Sequence, residues 1–305
     1  MANLASTYRN QGRWKEAEEL GVQELGICKK VLGEEHPSTL TSMANLASTY
    51  WNQGRWKEAE ELEVQELGIC KRVLGEEHPS TLTSMANLAS TYRNQGRWKE
   101  AEELGVQELG ICKKVLGEEH PSTLTSMANL ALTYSNQGRW KEAEELEVQE
   151  LGICKKVLGE EHPSTLTSMA NLALTYSNQG RWKEAEELGV QVMETRKRVL
   201  GEEHPDTLTS MANLVLTYSN QGRWKEAEEL EVQVMETRKR VLGEEHPDTL
   251  TSMANLAWTW YKIDRVLEAK ALMQDCIRYR QKILGQDHPH TRSSISTMAG
   301  WESTR

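Results

Sequence analysis

Between Pro37 and Asn52 apolar residues fall at Leu40, Met43, Leu46, Ala47 and Tyr50. Steps of three and four lay a single apolar stripe along a helix. Pro37 suits the first helical position, where its missing N–H costs nothing. Asn52-Gln53-Gly54 is a C-terminal stop. The spacing therefore predicts a helix, helix A, from about His36 to Asn52. A second pattern, Trp56, Ala59, Leu62, Leu67, Val73 and Leu74, predicts helix B from about Trp56 to Leu74. Glu58, Glu60 and Glu61 open helix B, and Lys71 and Arg72 close it, both in accord with the helix dipole. Gly75 ends it, and Glu76-Glu77-His78-Pro79 leads into the next helix A.

This pattern recurs every 42 residues, without insertion or deletion, from Met1, Met43, Met85, Met127, Met169, Met211 and Met253. The expected domains are repeats 1–42, 43–84, 85–126, 127–168, 169–210, 211–252 and 253–294, with 295–305 as a C-terminal capping helix fragment. One helix pair cannot cover its own apolar faces, so it must stack on its neighbours. The fold expected is all-α, a right-handed superhelical solenoid of antiparallel helix pairs. Met1 falls inside a helix A, so the chain reads as a piece of a longer protein. Its exposed N-terminal repeat edge (Met1, Leu4, Tyr8) predicts end-to-end self-association.

A formal net charge of −10 argues against nucleic acid and anionic membrane as partners. No apolar run reaches the roughly 20 residues of a membrane span, and no signal peptide pattern opens the chain. Cys28, Cys70, Cys112 and Cys154 share one repeat position, and Cys276 stands apart. Their number reflects duplication rather than a disulfide framework, so a reducing, cytoplasmic location is expected. No phosphate loop, catalytic triad or dinucleotide fingerprint is present. The reading is a binding protein, not an enzyme, with no cofactor and no metal.

The order Leu46-Ala47, Tyr50, Gly54, Trp56, Ala59 resembles the tetratricopeptide repeat (TPR). The 42-residue period and the Leu-Gly-Glu-Glu-His-Pro connection resemble the long variant of kinesin light chains. Near-identical copies also resemble the C-terminal sensor arrays of fungal and bacterial NOD-like signalling ATPases. That resemblance implies a protein- or peptide-binding array, the ligand-sensing end of a larger protein with a nucleotide-binding switch upstream. A kinesin-light-chain-like cargo adaptor or assembly scaffold is the alternative. The chain departs from the family in helix B. Gly21, Glu63, Gly105, Glu147, Gly189 and Glu231 occupy a position usually aromatic. Glu24, Glu66, Glu108 and Glu150 stand where alanine is usual, and Gly26, Gly68, Gly110 and Gly152 fall mid-helix. A softer first half is expected, because a mid-helix glycine costs about 1 kcal/mol against alanine.

Two asparagine columns run along helix A: Asn3, Asn45, Asn87, Asn129, Asn171, Asn213 and Asn255, then Asn10, Asn52, Asn94, Asn136, Asn178 and Asn220. Both lie roughly opposite the apolar stripe, on the expected inner wall. An amide offers the donors and acceptor that complement a peptide backbone. In the families this chain resembles, the first of these positions contacts bound peptide. A solvated polar face, or asparagines bonded between repeats, is the alternative. The repeats differ beside these columns, at Ser6, Ser48, Ser90, Leu132, Leu174, Leu216 and Trp258, and at Arg9, Trp51, Arg93, Ser135, Ser177, Ser219 and Tyr261. Variation on one wall over a constant frame suits specificity; neutral drift at exposed positions predicts it too. Ser6, Arg9, Trp51, Arg93, Leu132, Leu174, Leu216, Trp258 and Tyr261 are the expected specificity residues.

Other recurrent residues read as structural. The histidine before each proline serves a turn or cap. The cysteines are buried small residues, and Glu24, Glu66, Glu108 and Glu150 bond between repeats. Trp14, Trp56, Trp98, Trp140, Trp182 and Trp224 are expected in the core.

Overall fold

The computed structural model describes residues 2–10 and 13–303, without the side chains of Ala2 and Asn10. Met1, the Asn10 amide and the last two residues of the expected cap, Thr304 and Arg305, lie outside the described residues. The described residues form fifteen α-helices and no strand. Helix A recurs as α1 (Ala2–Asn10), α3 (Pro37–Asn52), α5 (Pro79–Asn94), α7 (Pro121–Asn136), α9 (Pro163–Asn178), α11 (Pro205–Asn220), α13 (Pro247–Lys262) and α15 (Pro289–Ser303). Helix B recurs as α2 (Trp14–Leu32), α4 (Trp56–Val73), α6 (Trp98–Val115), α8 (Trp140–Leu158), α10 (Trp182–Leu200), α12 (Trp224–Leu242) and α14 (Val266–Leu284). None is long and apolar enough to cross a membrane.

Helix A starts where it does because of the His-Pro pair. Proline occupies the first turn, and the histidine before it is the N-cap: His36 Nδ1 accepts from the Ser38 N–H at 3.1 Å, as His78 does from Ser80. This geometry makes Nδ1 the unprotonated nitrogen. Helix A stops at Gly54, whose φ of +73° is open to glycine and strained for other residues.

The chain divides into two compact units, Met1–Val157 and Leu158–Arg305. In the first, Leu67 of α4, Leu82, Met85 and Leu88 of α5 and Cys112 of α6 form one core cluster. Each helix A thus lies between its own helix B and the preceding one, so no pair closes its core alone. In the second, Leu208 and Met211 of α11 meet Val234 of α12, with Met193 of α10 and Leu230 packed beside them. The closing helix α15 begins at Pro289, six residues before the expected 295. Its Met298 and Trp301 bury against Ala257, Ala269 and Met273.

One expectation for helix B changes. The tryptophans are not core: each described helix B from α2 to α12 opens on one, at the helix edge, and Trp56 is 37% exposed. The mid-helix glycines Gly26, Gly68 and Gly110 face open space, with nothing within 4 Å of an added Cβ. A polar clamp holds successive repeats instead. Gln53 donates to the Trp14 carbonyl (3.2 Å) and to Glu18 (2.8 Å); Arg55 pairs with Glu18 (2.7 Å) and lies over the Tyr50 ring. Gln95, Arg97 and Glu60 repeat it, as do Gln221, Arg223 and Glu186. The first-turn glutamates do more than suit a dipole: one of them receives the next repeat.

Candidate functional site

The first asparagine column lies at middle depth. Asn45, Asn129, Asn171 and Asn213 are half-buried, while Asn3, Asn87 and Asn255 are exposed. In the second column Asn52, Asn94, Asn136, Asn178 and Asn220 are exposed. Asn52 and Asn94 turn their amides back onto the carbonyls of Ser48 and Ser90, at 2.7 and 2.8 Å. Those amides have spent one donor within their own helix.

In the first unit two of the expected specificity residues are structural staples. Arg9 donates to the Asn45 carbonyl at 2.8 Å and to Asn45 Oδ1 at 3.2 Å. Arg93 donates to the Asn129 carbonyl at 2.9 Å and to Ser90 Oγ at 3.3 Å. Burial pulls the Arg93 guanidinium below its ordinary pKa. Asn45 is therefore bonded between repeats. Arg9 and Arg93 reach across to the next helix A because its carbonyls, 36 residues on, lie within the length of an arginine.

On α11 the corresponding residue is Ser219, and a cavity of about 310 Å³ opens between α11 and α13. Asn220, Asn255, Leu216 and Trp258, all expected from sequence, line it with Ser219, Ala212 and Val215. Leu216 and Trp258 are 54% and 41% exposed. Ser6, Ser90 and Leu174 are half-buried, while Trp51 and Leu132 are exposed in the first unit. Tyr261 is different. Its ring stacks on Trp301 of α15 with centroids 4.5 Å apart, and the residue is half-buried.

The floor of the cavity was not legible as a site. It is α12, through Glu231, Val234 and Arg238, with Ser252 and Thr259 of α13 opposite. Glu231 is 7% exposed, and its Oε2 has no hydrogen-bond partner among the described residues. Burial pushes its pKa up to about 7, against the Thr259 hydroxyl that favours the charged form. Glu228 adds a smaller upward push, while itself held by Trp260 Nε1 and Arg265. Arg238 donates to Ser252 Oγ (2.9 Å) and the Asp248 carbonyl (3.3 Å). The sequence signal was present: the usually aromatic position alternates glycine and glutamate. Gly105 and Gly189 let Leu130 and Leu214 approach to 3.4 and 3.3 Å of an added Cβ; Glu63 and Glu231 bury a carboxyl instead.

A buried polar ladder runs behind this wall. Ser126 of α7 donates to Glu108 of α6 at 2.9 Å, beside the buried thiol of Cys112. That is the interrepeat bond expected for this glutamate column, and Glu66 and Glu108 are both buried. Where Val192 replaces the glutamate, Arg196 replaces the cysteine, and its Nη1 donates to Ser210 Oγ at 2.8 Å. Val234, Arg238 and Ser252 repeat the exchange.

Tetratricopeptide-repeat models match residues 1–71, 64–109 and 87–156, and again 165–206, 207–248 and 249–290. No curated protein sequence matches the chain. Among solved structures, a candidate kinesin light chain of Podosopora anserina with nearly identical TPR-like repeats is 41% identical. The match covers 68% of this chain and 98% of that one, with a TM-score of 0.59. BtubC (BKLC) from P. vanneervenii is 19% identical over 77% of this chain and 94% of its own, TM-score 0.63. The apo form of RapI is 13% identical over 92% and 96%, TM-score 0.64; these last two share the fold alone. With family models covering both units and helix pairs repeating at the period the sequence shows, the chain belongs to the tetratricopeptide-repeat family.

Proposed function

We propose that the chain is a protein- or peptide-binding array that holds an extended segment of its partner along the helix A faces. The carrying observation is the cavity between α11 and α13, where both asparagine columns and two variable positions converge on one opening. Asn220 and Asn255 meet the peptide backbone there, and Leu216 and Trp258 select side chains. Elsewhere Asn87, Asn136, Asn171, Asn178 and Asn213 continue the backbone contacts, with Trp51, Leu132 and Leu174 beside them. The reading is binding without chemistry. Within a longer protein the array serves as the ligand-sensing C-terminal part of a NOD-like signalling protein; the near-identity of its repeats supports this. The kinesin-light-chain description of the 41% identical Podosopora anserina structure favours a cargo adaptor as the second reading. A nucleotide-binding domain encoded upstream supports the sensor, and a coiled coil the adaptor.

The test is retention of peptides from a random library on the immobilised 305-residue chain. A neutral hydrogen bond is worth about 0.5–1.5 kcal/mol net. The double variant Asn220→Ala/Asn255→Ala should therefore weaken retained peptides roughly 5- to 160-fold if the losses add. Unchanged binding in the double variant removes the groove from consideration.

A further inference from the structure

The cavity between α11 and α13 holds one carboxyl oxygen that has no partner among the described residues. It is Oε2 of Glu231, which is 7% exposed and lines the opening. Among the described residues, the only other charged one lining the cavity is Arg238, seven residues further along α12 and so about 10 Å away. Arg238 is already engaged by Ser252 and the Asp248 carbonyl. A cation entering the cavity is therefore repelled at the Arg238 end and drawn to the Glu231 end. The walls between are apolar: Val215, Leu216, Val234 and the Trp258 ring. The Trp258 ring already carries Lys262 Nζ at 5.0 Å from its centroid and packs on Trp224 at 5.7 Å, so it offers the cavity an apolar wall while Glu231 alone offers the negative charge.

Resting on the groove reading above, we infer that this cavity receives one basic side chain of the bound polypeptide. The ammonium or guanidinium head pairs with Glu231 Oε2, and the methylene stem lies along Trp258 and Leu216. A long basic side chain suits an opening that is apolar along its walls and acidic at one point. Burial raises the Glu231 pKa, and an arriving cation favours release of that proton. The first unit supplies an internal control. Glu63 is also buried with Oε2 unmet, but Ser48, Trp51, Ser90 and Cys70 stand where Leu216, Ser219, Trp258 and Arg238 build the cavity.

The probes are acetylated, amidated decapeptide pools with one central residue fixed as lysine, arginine, norleucine, citrulline or glutamate, passed over the full chain. Lysine and arginine pools should be retained about tenfold or more over their neutral isosteres, norleucine and citrulline. Glu231→Gln should erase that preference while keeping general retention, Trp258→Ala should reduce it, and Glu63→Gln should leave it intact. Circular dichroism melting confirms that each variant is folded. Retention without preference for basic pools overturns this inference and leaves the groove reading standing, as does a preference that survives Glu231→Gln. A glutamate preference assigns the cavity to Arg238 and overturns it as well. No retention of any pool overturns both readings.

Discussion

The two units share a frame and differ in what they bury behind it. In the first, helix B presents a glutamate and a thiol to the serine of the next helix A: Glu108, Cys112 and Ser126. In the second the same serine position faces a valine and an arginine: Val192, Arg196 and Ser210. A hydroxyl both donates and accepts. The serine therefore stays while its partner changes sign, and the two helix B residues change together. The lesson is that the glutamate and the cysteine are one unit of design, as are the valine and the arginine. A buried charge left without its partner is costly.

The largest expected effect tests that coupling. Arg196→Cys alone should destabilise the second unit by about 2–4 kcal/mol, since it removes the charged donor to Ser210 and the Asp206 carbonyl and leaves a void. Adding Val192→Glu recreates the first unit's set and should recover at least half of the loss in urea unfolding. A double variant weaker than the single breaks the comparison.

The alternating glutamate is common to both units and should behave alike in each. Burial holds Glu63 and Glu231 near pKa 7, above the reference value of 4.5. The folded state therefore keeps these protons at a pH where the unfolded chain has released them. The stability they contribute is fully present below about pH 4.5, falls through the window to about 7, and is flat above it. The loss is on the order of 3 kcal/mol per group. Glu63→Gln and Glu231→Gln should each remove its own share when wild type and variants are compared from pH 5 to 8. A pH response confined to one of the two variants would show that the units differ here too.

A smaller effect separates the helices themselves. Gly68 and Gly110 face open space in the first unit, where the second has Glu194 and Glu236. Gly68→Ala with Gly110→Ala should raise stability by about 1–2 kcal/mol in thermal or denaturant melts. Gly105→Ala, whose Cβ meets Leu130 at 3.4 Å, should gain less. Equal gains at Gly105 and Gly68 would sink this account of the softer half.

The smallest effect concerns the exposed pairs between helix B and the preceding connection. Lys114 and Glu77 are 74% and 56% exposed at 2.6 Å. Lys114→Ala should move stability by less than about 0.5 kcal/mol, and less again at high salt. A loss comparable with that of Arg196→Cys would mean that these links, and not the buried ladder, hold the repeats together.

The sequence by itself determined the period, the helix pairs, the caps and the need to stack, because each depends on residues within one turn or one repeat of one another. The Pro-led starts and Gly-ended stops of helix A are local chemistry, and they stand where the spacing put them. It also marked the wall, through the asparagine columns and the variable positions beside them. Only the tertiary structure decided what each of those residues does. Arg9 and Arg93 read as peptide selectors, yet they bond the next helix A, 36 residues away. Tyr261 read as a specificity residue, and its ring stacks on Trp301. Glu231 read as an oddity of helix B, yet it forms the floor of the cavity. The reason is reach: a repeat pattern records which face a residue occupies, but whether a long side chain spans to its neighbour or leaves a gap depends on the residues packed across from it.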